Sequence, residues 1–280
     1  MMTAFYIHWN PSLELFSVAG VPLRYYGFLF MIGVLLSIYV LYLIFKKEGI
    51  PAGHLEKLFY GGMFGGLLGA RLGHCLIYEP DYFLSRPLEM LFPIAISPGG
   101  DITFIGYQGL ASHGGTLSLL LVFLIFSRWA KIPFLKTLDM VAVVGPLGAG
   151  FIRLGNLMNS EIIGKITTAP WAFIFEQVDQ HPRHPAQLYE AITYLGIFCL
   201  NFFLYKKRNA ITQPGLLFGT STALVFTARF VLEFVKENQT SAEQEMLFNM
   251  GQWLSIPFIL IGLGFILRAT IKQKNTNLAL

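Results

Sequence analysis

The sequence predicts an all-α integral membrane protein of seven transmembrane helices, and three observations support this. Only 13% of its 280 residues are charged while 54% are apolar and 15% aromatic; soluble domains carry about 25% charged residues. Apolar runs of bilayer-spanning length, roughly 17–25 residues, recur along the chain. Basic residues cluster at alternate junctions between those runs.

The runs justify themselves in order. The first, about 25–45, ends on Lys46 and Lys47. The second, about 57–78, carries Gly61, Gly65, Gly69 and Gly73; that spacing clears one face of side chains and lets another helix approach closely. The third, about 113–130, opens on His113-Gly114-Gly115, and the fourth, about 137–155, takes in Arg153 near its end. The fifth, about 186–205, is entered through Pro185, a residue suited to a first helical turn. The sixth, about 214–234, finishes on Arg229 and Glu233. The seventh, about 250–268, begins at Gly251-Gln252 and gives way after Arg268 to a loose polar tail.

Lys46, Lys47 and Lys57, then Arg128, Lys131 and Lys136, then Lys206, Lys207 and Arg208, and last Arg268, Lys272 and Lys274 fall on one side. Glu48, Glu56 and Asp139 oppose them there. The positive-inside rule puts that side in the cytoplasm, so the N-terminus is outside and the C-terminus inside. The whole chain, 1–280, is then a single polytopic domain. The net charge of +4 is a topology signal, and no basic face with stacking aromatics suggests nucleic acid. Cys75 and Cys199 fall toward opposite faces and read as packing residues, which excludes a disulfide scaffold. No thiolate–histidine cluster suggests a metal. Met1 to Arg24 lacks a basic leader followed by an apolar core, so no cleaved signal peptide is expected.

The unusual polar residues gather at the outer helix ends: Tyr26, Arg71, His74, His113, Arg153, Asn156, the Pro182–Glu190 entry, Arg229, Glu233, Gly251 and Gln252. Groups converging from several helices at one depth are how bundles build sites. Arg153 is the most telling. A cation in a lipid-facing helix costs about 2.5–3.5 kcal/mol at the bilayer centre, and a lipid phosphate reaching that depth would offset it. Arg229 supplies a second guanidinium, and two such forks can grip one phosphate. Glu161 and Glu233 are placed to hold the arginines, although Arg229 and Glu233, spaced i, i+4, also fit a simple ion pair. His113 stands at a helix N-terminus, which favours the neutral ring a general base requires; capping its own helix is the alternative. The two glycines after it would keep the approach open. Tyr26, Tyr107 and Trp171 fit an interfacial aromatic belt equally well. Arg71 fits an ion pair with Glu79 or Asp81. Arg183, Gln187 and Glu190 share a face at helical spacing, either for a ligand or for structure.

These residues resemble a known family, the bacterial prolipoprotein diacylglyceryl transferases. The resemblance rests on Tyr26-Gly27, on Gly69-Ala70-Arg71-Leu72-Gly73 and on His113-Gly114-Gly115. It continues through the run from Gly150 to Gly164, Arg183-His184-Pro185-Ala186-Gln187-Leu188-Tyr189-Glu190, Arg229-Phe230 with Glu233-Phe234, and Met250-Gly251-Gln252. Departures are Val225 where members carry a tyrosine, Ala111-Ser112, and Phe234-Val235-Lys236-Glu237-Asn238, where members commonly show an arginine and a Pro-Asp pair.

The resemblance implies an enzyme of the bacterial cytoplasmic membrane, a bundle of seven helices with a small periplasmic head that residues 157–182 would supply. It would move the diacylglyceryl group of phosphatidylglycerol to the lipobox cysteine thiol of a prolipoprotein, forming a thioether and releasing glycerol phosphate. It implies function for the residues at Tyr26, His113, Arg153, Asn156, Gly164 and Arg229. The expected catalytic residues are therefore His113 and Arg229, with His184 an alternative base. Substrate binding is expected of Arg153, Asn156, Tyr26, Glu161, Gly164, Glu233 and Gln187. The expected partners are phosphatidylglycerol, the prolipoprotein signal peptide and membrane lipids, with no metal or cofactor. Rival readings are a transporter or flippase, which wants midplane charges and inverted repeats, a seven-helix receptor or structural protein, and an intramembrane protease, which wants a serine–histidine or paired-aspartate arrangement.

Overall fold

The computed structural model describes residues 6–18, 20–97, 99–104, 106, 109–207, 210–237 and 247–278. Tyr107, Arg208 and Asn238 lie outside the described residues. In chain order the helices are α1 (Tyr25–Lys47), α2 (Ala52–Ile77), the short α3 (Pro80–Phe83) and α4 (Pro87–Leu91), α5 (Ser112–Ala130), α6 (Phe134–Met158), α7 (Ala186–Lys207), α8 (Leu216–Leu232) and α9 (Met250–Leu278). Short strands lie between them: β1 (Ile7–Trp9), β2 (Glu14–Val18), β3 (Val21–Arg24), β4 (Ile94–Ile96), β5 (Ile102–Phe104), β6 (Phe173–Phe175) and β7 (Pro182–Arg183).

Among the described residues five helices are long and apolar enough to cross a membrane: α1, α5, α6, α7 and, over Met250–Gln273, α9. This is the architecture of a multi-pass integral membrane protein. α8 is apolar but has 17 residues, and the glycines, Arg71 and His74 of α2 dilute its apolar character. Half of the apolar stretch of α6 is buried, more than in the other four, so the helix that carries Arg153 is the most enclosed. α9 runs on past Arg268 to Leu278, where a loose tail was expected.

By internal packing the chain forms two compact units. In the unit of residues 42–137, α2 and α5 meet along the glycine face. A Cβ added at Gly65 would sit 2.5 Å from Val122 Cγ2, and one at Gly73 would sit 2.7 Å from the Gly114 Cα. Gly69 is closest of all, its imagined Cβ falling inside the Ser118 side chain and 2.8 Å from the Gly114 carbonyl. Ser118 Oγ donates to the Gly65 carbonyl across the same seam at 2.6 Å. The segment before α5 holds α3, α4 and the antiparallel β4–β5 hairpin. Arg71, 4% exposed, ties it down by donating to the Glu89 carbonyl at 2.7 Å and the Met90 carbonyl at 3.2 Å. Its guanidinium also stacks over Phe83. Glu79, one of the two carboxylates considered for Arg71, lies 3.2 Å from His74.

The other unit comprises residues 1–41 and 138–280. Its polar end is a small cap: β1 pairs in parallel with β6, which pairs antiparallel with β7, and β2–β3 form a separate hairpin. The cap encloses Leu157, Ile163, Phe173 and Phe175, with Trp9 and Leu188 packed against them. The head therefore recruits the N-terminal segment, which composition alone did not announce. Backbone groups beside buried side chains must pair, and strands of three residues are too short to show an alternating pattern.

Candidate active site

The geometry begins where α6 ends. Asn159, Ser160 and Glu161 donate their backbone N–H groups to the carbonyls of Gly155, Leu157 and Asn156, so the final turn closes on itself. Ser160 (φ 54) and Ile162 (φ 58) then take left-handed backbone conformations, which for a β-branched residue is a strained choice. The turn aims Glu161 back at the helix. Arg153 Nη1 donates to Asn156 Oδ1 at 3.2 Å, Asn156 Nδ2 donates to Glu161 Oε2 at 3.1 Å, and Asn159 Nδ2 donates to Glu161 Oε1 at 3.0 Å. Glu161 thus reaches Arg153 through Asn156. From α7, the fully buried Gln187 donates to the Glu161 carbonyl at 2.5 Å.

Arg153 has a second tie. Its Nε lies 2.8 Å from Glu190 Oε2, whose side chain is 1% exposed. One turn further along α7, the buried Tyr194 phenol lies in the electrostatic field of two arginines, Arg153 of α6 and Arg229 of α8. They are not equally committed. Among the described residues no hydrogen bond or ion pair holds the half-buried Arg229 guanidinium. Glu233 does not form the expected i, i+4 pair with it: Lys236 Nζ lies 3.2 Å from Glu233 Oε2 and 3.7 Å from Glu190 Oε1. The Glu233 carboxylate also leaves no room for a side chain at Gly251, where a Cβ would meet its Cδ at 2.8 Å. Asn249 and Gln252 cap α9 reciprocally, each accepting the other's backbone N–H at 3.1 and 2.9 Å, a capping box.

Tyr26 stands at the start of α1 with its ring on Gly155, where an added Cβ would come within 2.9 Å of Cδ2. It is therefore beside the Arg153–Asn156 turn. Gly164 is a crossing point of three backbones: a Cβ there would lie 2.5 Å from the His184 carbonyl and 2.8 Å from that of Val235. Its requirement for glycine is steric. Arg183 belongs to β7, outside the helix face assigned to it. It binds Asp179 Oδ2 through Nη2 at 2.5 Å, Glu237 Oε2 through Nη1 at 3.0 Å and the Gly164 carbonyl at 3.2 Å. These bonds push Arg183 up and hold the Asp179 carboxyl below the usual range. Burial lowers the His184 imidazole, which lies 3.2 Å from the Tyr189 hydroxyl. That hydroxyl accepts the Trp171 N–H at 2.8 Å, which anchors an indole read earlier as a belt residue.

His113 lies in the unit of residues 42–137, in the first turn of α5, exposed. The glycine after it does not open an approach. Gly114 is there because α2 packs on it: a Cβ would fall within 2.7 Å of the Gly73 Cα and closer still to the Gly69 carbonyl.

A family model described as prolipoprotein diacylglyceryl transferase matches residues 14–268. The chain belongs to that family. Among relatives named phosphatidylglycerol–prolipoprotein diacylglyceryl transferase, that of Bacteroides fragilis is 50% identical over 259 residues, 92% of this chain and 94% of the relative. The one from Chloroherpeton thalassium is 42% identical over 98% of this chain and 97% of its own. The one from Porphyromonas gingivalis is 36% identical over 96% and 98%. Sequence reasoning passed over Tyr194 and Lys236 as site-builders, and placed Glu190 only on a face with Arg183 and Gln187, for a ligand or for structure. A carboxylate and an amide, Glu190 and Asn201, inside an otherwise apolar helix were the available signal; nothing local marks Lys236.

Proposed function

We propose that this chain transfers the diacylglyceryl group of phosphatidylglycerol to the lipobox cysteine thiol of a prolipoprotein. The observation that carries this reading is that Arg153 and Arg229 both act on the field at the buried Tyr194, with the Arg229 guanidinium left without a protein anion among the described residues. A half-buried cation without a counter-ion is costly, and a phosphodiester is the anion a two-guanidinium fork fits. Family membership supports the same substrate pair.

In this proposal seven helices (α1, α2, α5, α6, α7, α8 and α9) span the bilayer as one polytopic domain. The N-terminus and the 157–182 head are periplasmic, the C-terminus is cytoplasmic, and the site faces the outer leaflet of the bacterial inner membrane. The alternation of basic residues supports that orientation.

Arg153 and Arg229 hold the phosphate, while Asn156 and Tyr26 orient the head group. Glu161, Gly164, Gln187 and Glu233 shape the shell around them. His113 takes the thiol proton, because a free thiol near pKa 8.5 is mostly protonated at neutral pH. The sulfur forms a bond to the glyceryl carbon of the diacylglyceryl group as that carbon's bond to the phosphate oxygen breaks. The electron pair leaves with glycerol phosphate. Fixed guanidiniums in a water-poor site stabilise the growing phosphate charge better than solvent does.

The test is purified protein with phosphatidylglycerol and a lipobox peptide, read by mass spectrometry. The peptide should gain a diacylglyceryl mass, and glycerol phosphate should appear in equal amount. His113→Ala and Arg153→Ala should insert normally and transfer nothing. Unchanged lipid and peptide with the native chain would end the proposal.

A further inference from the structure

Lys236 is 3% exposed, nearly as buried as any charged side chain described here. Its place is set by backbone rather than chance. Just beyond α8 the chain crosses the turn after α6: Lys236 bridges Gly164, the Lys165 N–H donates to the Val235 carbonyl at 2.8 Å, and the Glu237 N–H donates to the Ile163 carbonyl at 3.2 Å. That clasp delivers the ammonium between two buried carboxylates, 3.2 Å from Glu233 and 3.7 Å from Glu190.

Glu190 is the pivot. One oxygen lies 2.8 Å from Arg153 Nε and the other faces Lys236. Among the described residues, and leaving aside the exposed Glu161, the charges here are Arg153, Arg229 and Lys236 against Glu190 and Glu233, a net of one positive charge before substrate enters. A phosphodiester carries one negative charge, so the enclosed set is neutral when it is bound. Without Lys236 the set is already neutral, and the carboxylate of Glu190 falls wholly on Arg153. The same phosphate would then have to be held by a set with no net charge, leaving one negative charge uncompensated in a medium that screens poorly.

We propose that Lys236 is a positioning residue that balances Glu190 and so keeps Arg153 available to an incoming phosphodiester. This rests on the phosphate-clamp reading of Arg153 and Arg229.

The experiment measures phosphatidylglycerol affinity in detergent micelles together with transfer kinetics, for the native protein and four variants. Lys236→Met should weaken phosphatidylglycerol binding roughly tenfold or more, raising KM with a smaller change in kcat. Lys236→Arg should stay near native. The double variant Glu190→Gln with Lys236→Met restores the net charge while keeping an oxygen for Arg153 Nε, so it should recover most of the lost affinity. A merely structural lysine predicts no such recovery.

Native-like affinity in Lys236→Met, or a double variant no better than the single, overturns the proposal. If Lys236→Met does not reach the membrane, Glu190→Gln alone decides: it should bind phosphatidylglycerol at least as tightly as native, and weaker binding overturns the idea. A native protein that binds phosphatidylglycerol but transfers nothing would sink the enzymatic reading and leave the affinity comparison standing.

Discussion

Asp139 offers the sharpest test of how α8 is held. The residue is fully buried and its carboxylate accepts the Gly215 N–H at 2.7 Å and the Phe218 N–H at 2.8 Å. Gly215, with φ +95, is the N-cap of α8 and has no side chain to cap with. A neighbouring segment therefore supplies the oxygen that an Asp or Ser would otherwise bring. Hydrogen bonds to a charged acceptor contribute about 1.5–3 kcal/mol each, so Asp139→Ala should cost ~3–5 kcal/mol. Asp139→Asn keeps one acceptor but turns its amide toward the other N–H, and should cost about half as much. For a chain of this size that corresponds to a fall in apparent Tm of roughly 6–12 °C for the alanine variant, read by intrinsic fluorescence in detergent micelles. Arg229 sits about 20 Å along the same helix at 1.5 Å per residue, so transfer should fall in parallel as α8 loses its axial anchor. An alanine variant that melts within about 2 °C of native would refute the reasoning, because no redistribution of solvent can reach those two N–H groups.

Four further outcomes follow from the geometry. Gly69→Ala drives a methyl into Ser118 and the Gly114 carbonyl; it should destabilise the unit of residues 42–137 by ~2–4 kcal/mol, well above ordinary overpacking because backbone is in the way, and speed proteolysis there. Gly164→Ala meets the His184 and Val235 carbonyls and should reduce transfer at least tenfold while the helices still insert, a split that far-UV dichroism and the peptide assay together detect. Arg183 holds Asp179 below its ordinary value of 3.8; the tie is complete above that value and drains away as pH falls through the depressed folded one. Hydrogen exchange around residues 164–183 should therefore accelerate on acidification below about pH 4, and Asp179→Asn should abolish that acceleration. Arg229→Lys should impair transfer although charge is kept, because an ammonium cannot reproduce a fork; near-native kinetics would remove Arg229 from the clamp.

What the sequence made legible were features written in one stretch of chain. Long apolar runs announced membrane helices, and the four-residue glycine spacing in α2 announced a close partner, which is α5. Arg153, Asn156 and Glu161 lie within nine residues and form one hydrogen-bonded turn. What it hid depends on distant segments. Spacing pointed Glu233 at Arg229, yet a lysine three residues later, swung in by the clasp at Gly164, claims it. The β1–β6 pairing joins residues some 166 apart, beyond any periodicity. Gly114 was read for access when its reason is the backbone of a neighbouring helix.

The clasp between residues 163–165 and 235–237 carries one more consequence. It joins the segments that follow the two arginine-bearing helices through main-chain bonds around one isolated bridge, so the spacing of those two helix ends is set by backbone register. Substitutions can retune what lines such a cleft, but widening it for a bulkier head group would need an inserted or deleted residue. Relatives that accept different lipids through this fold should therefore differ there in loop length before they differ in side chains.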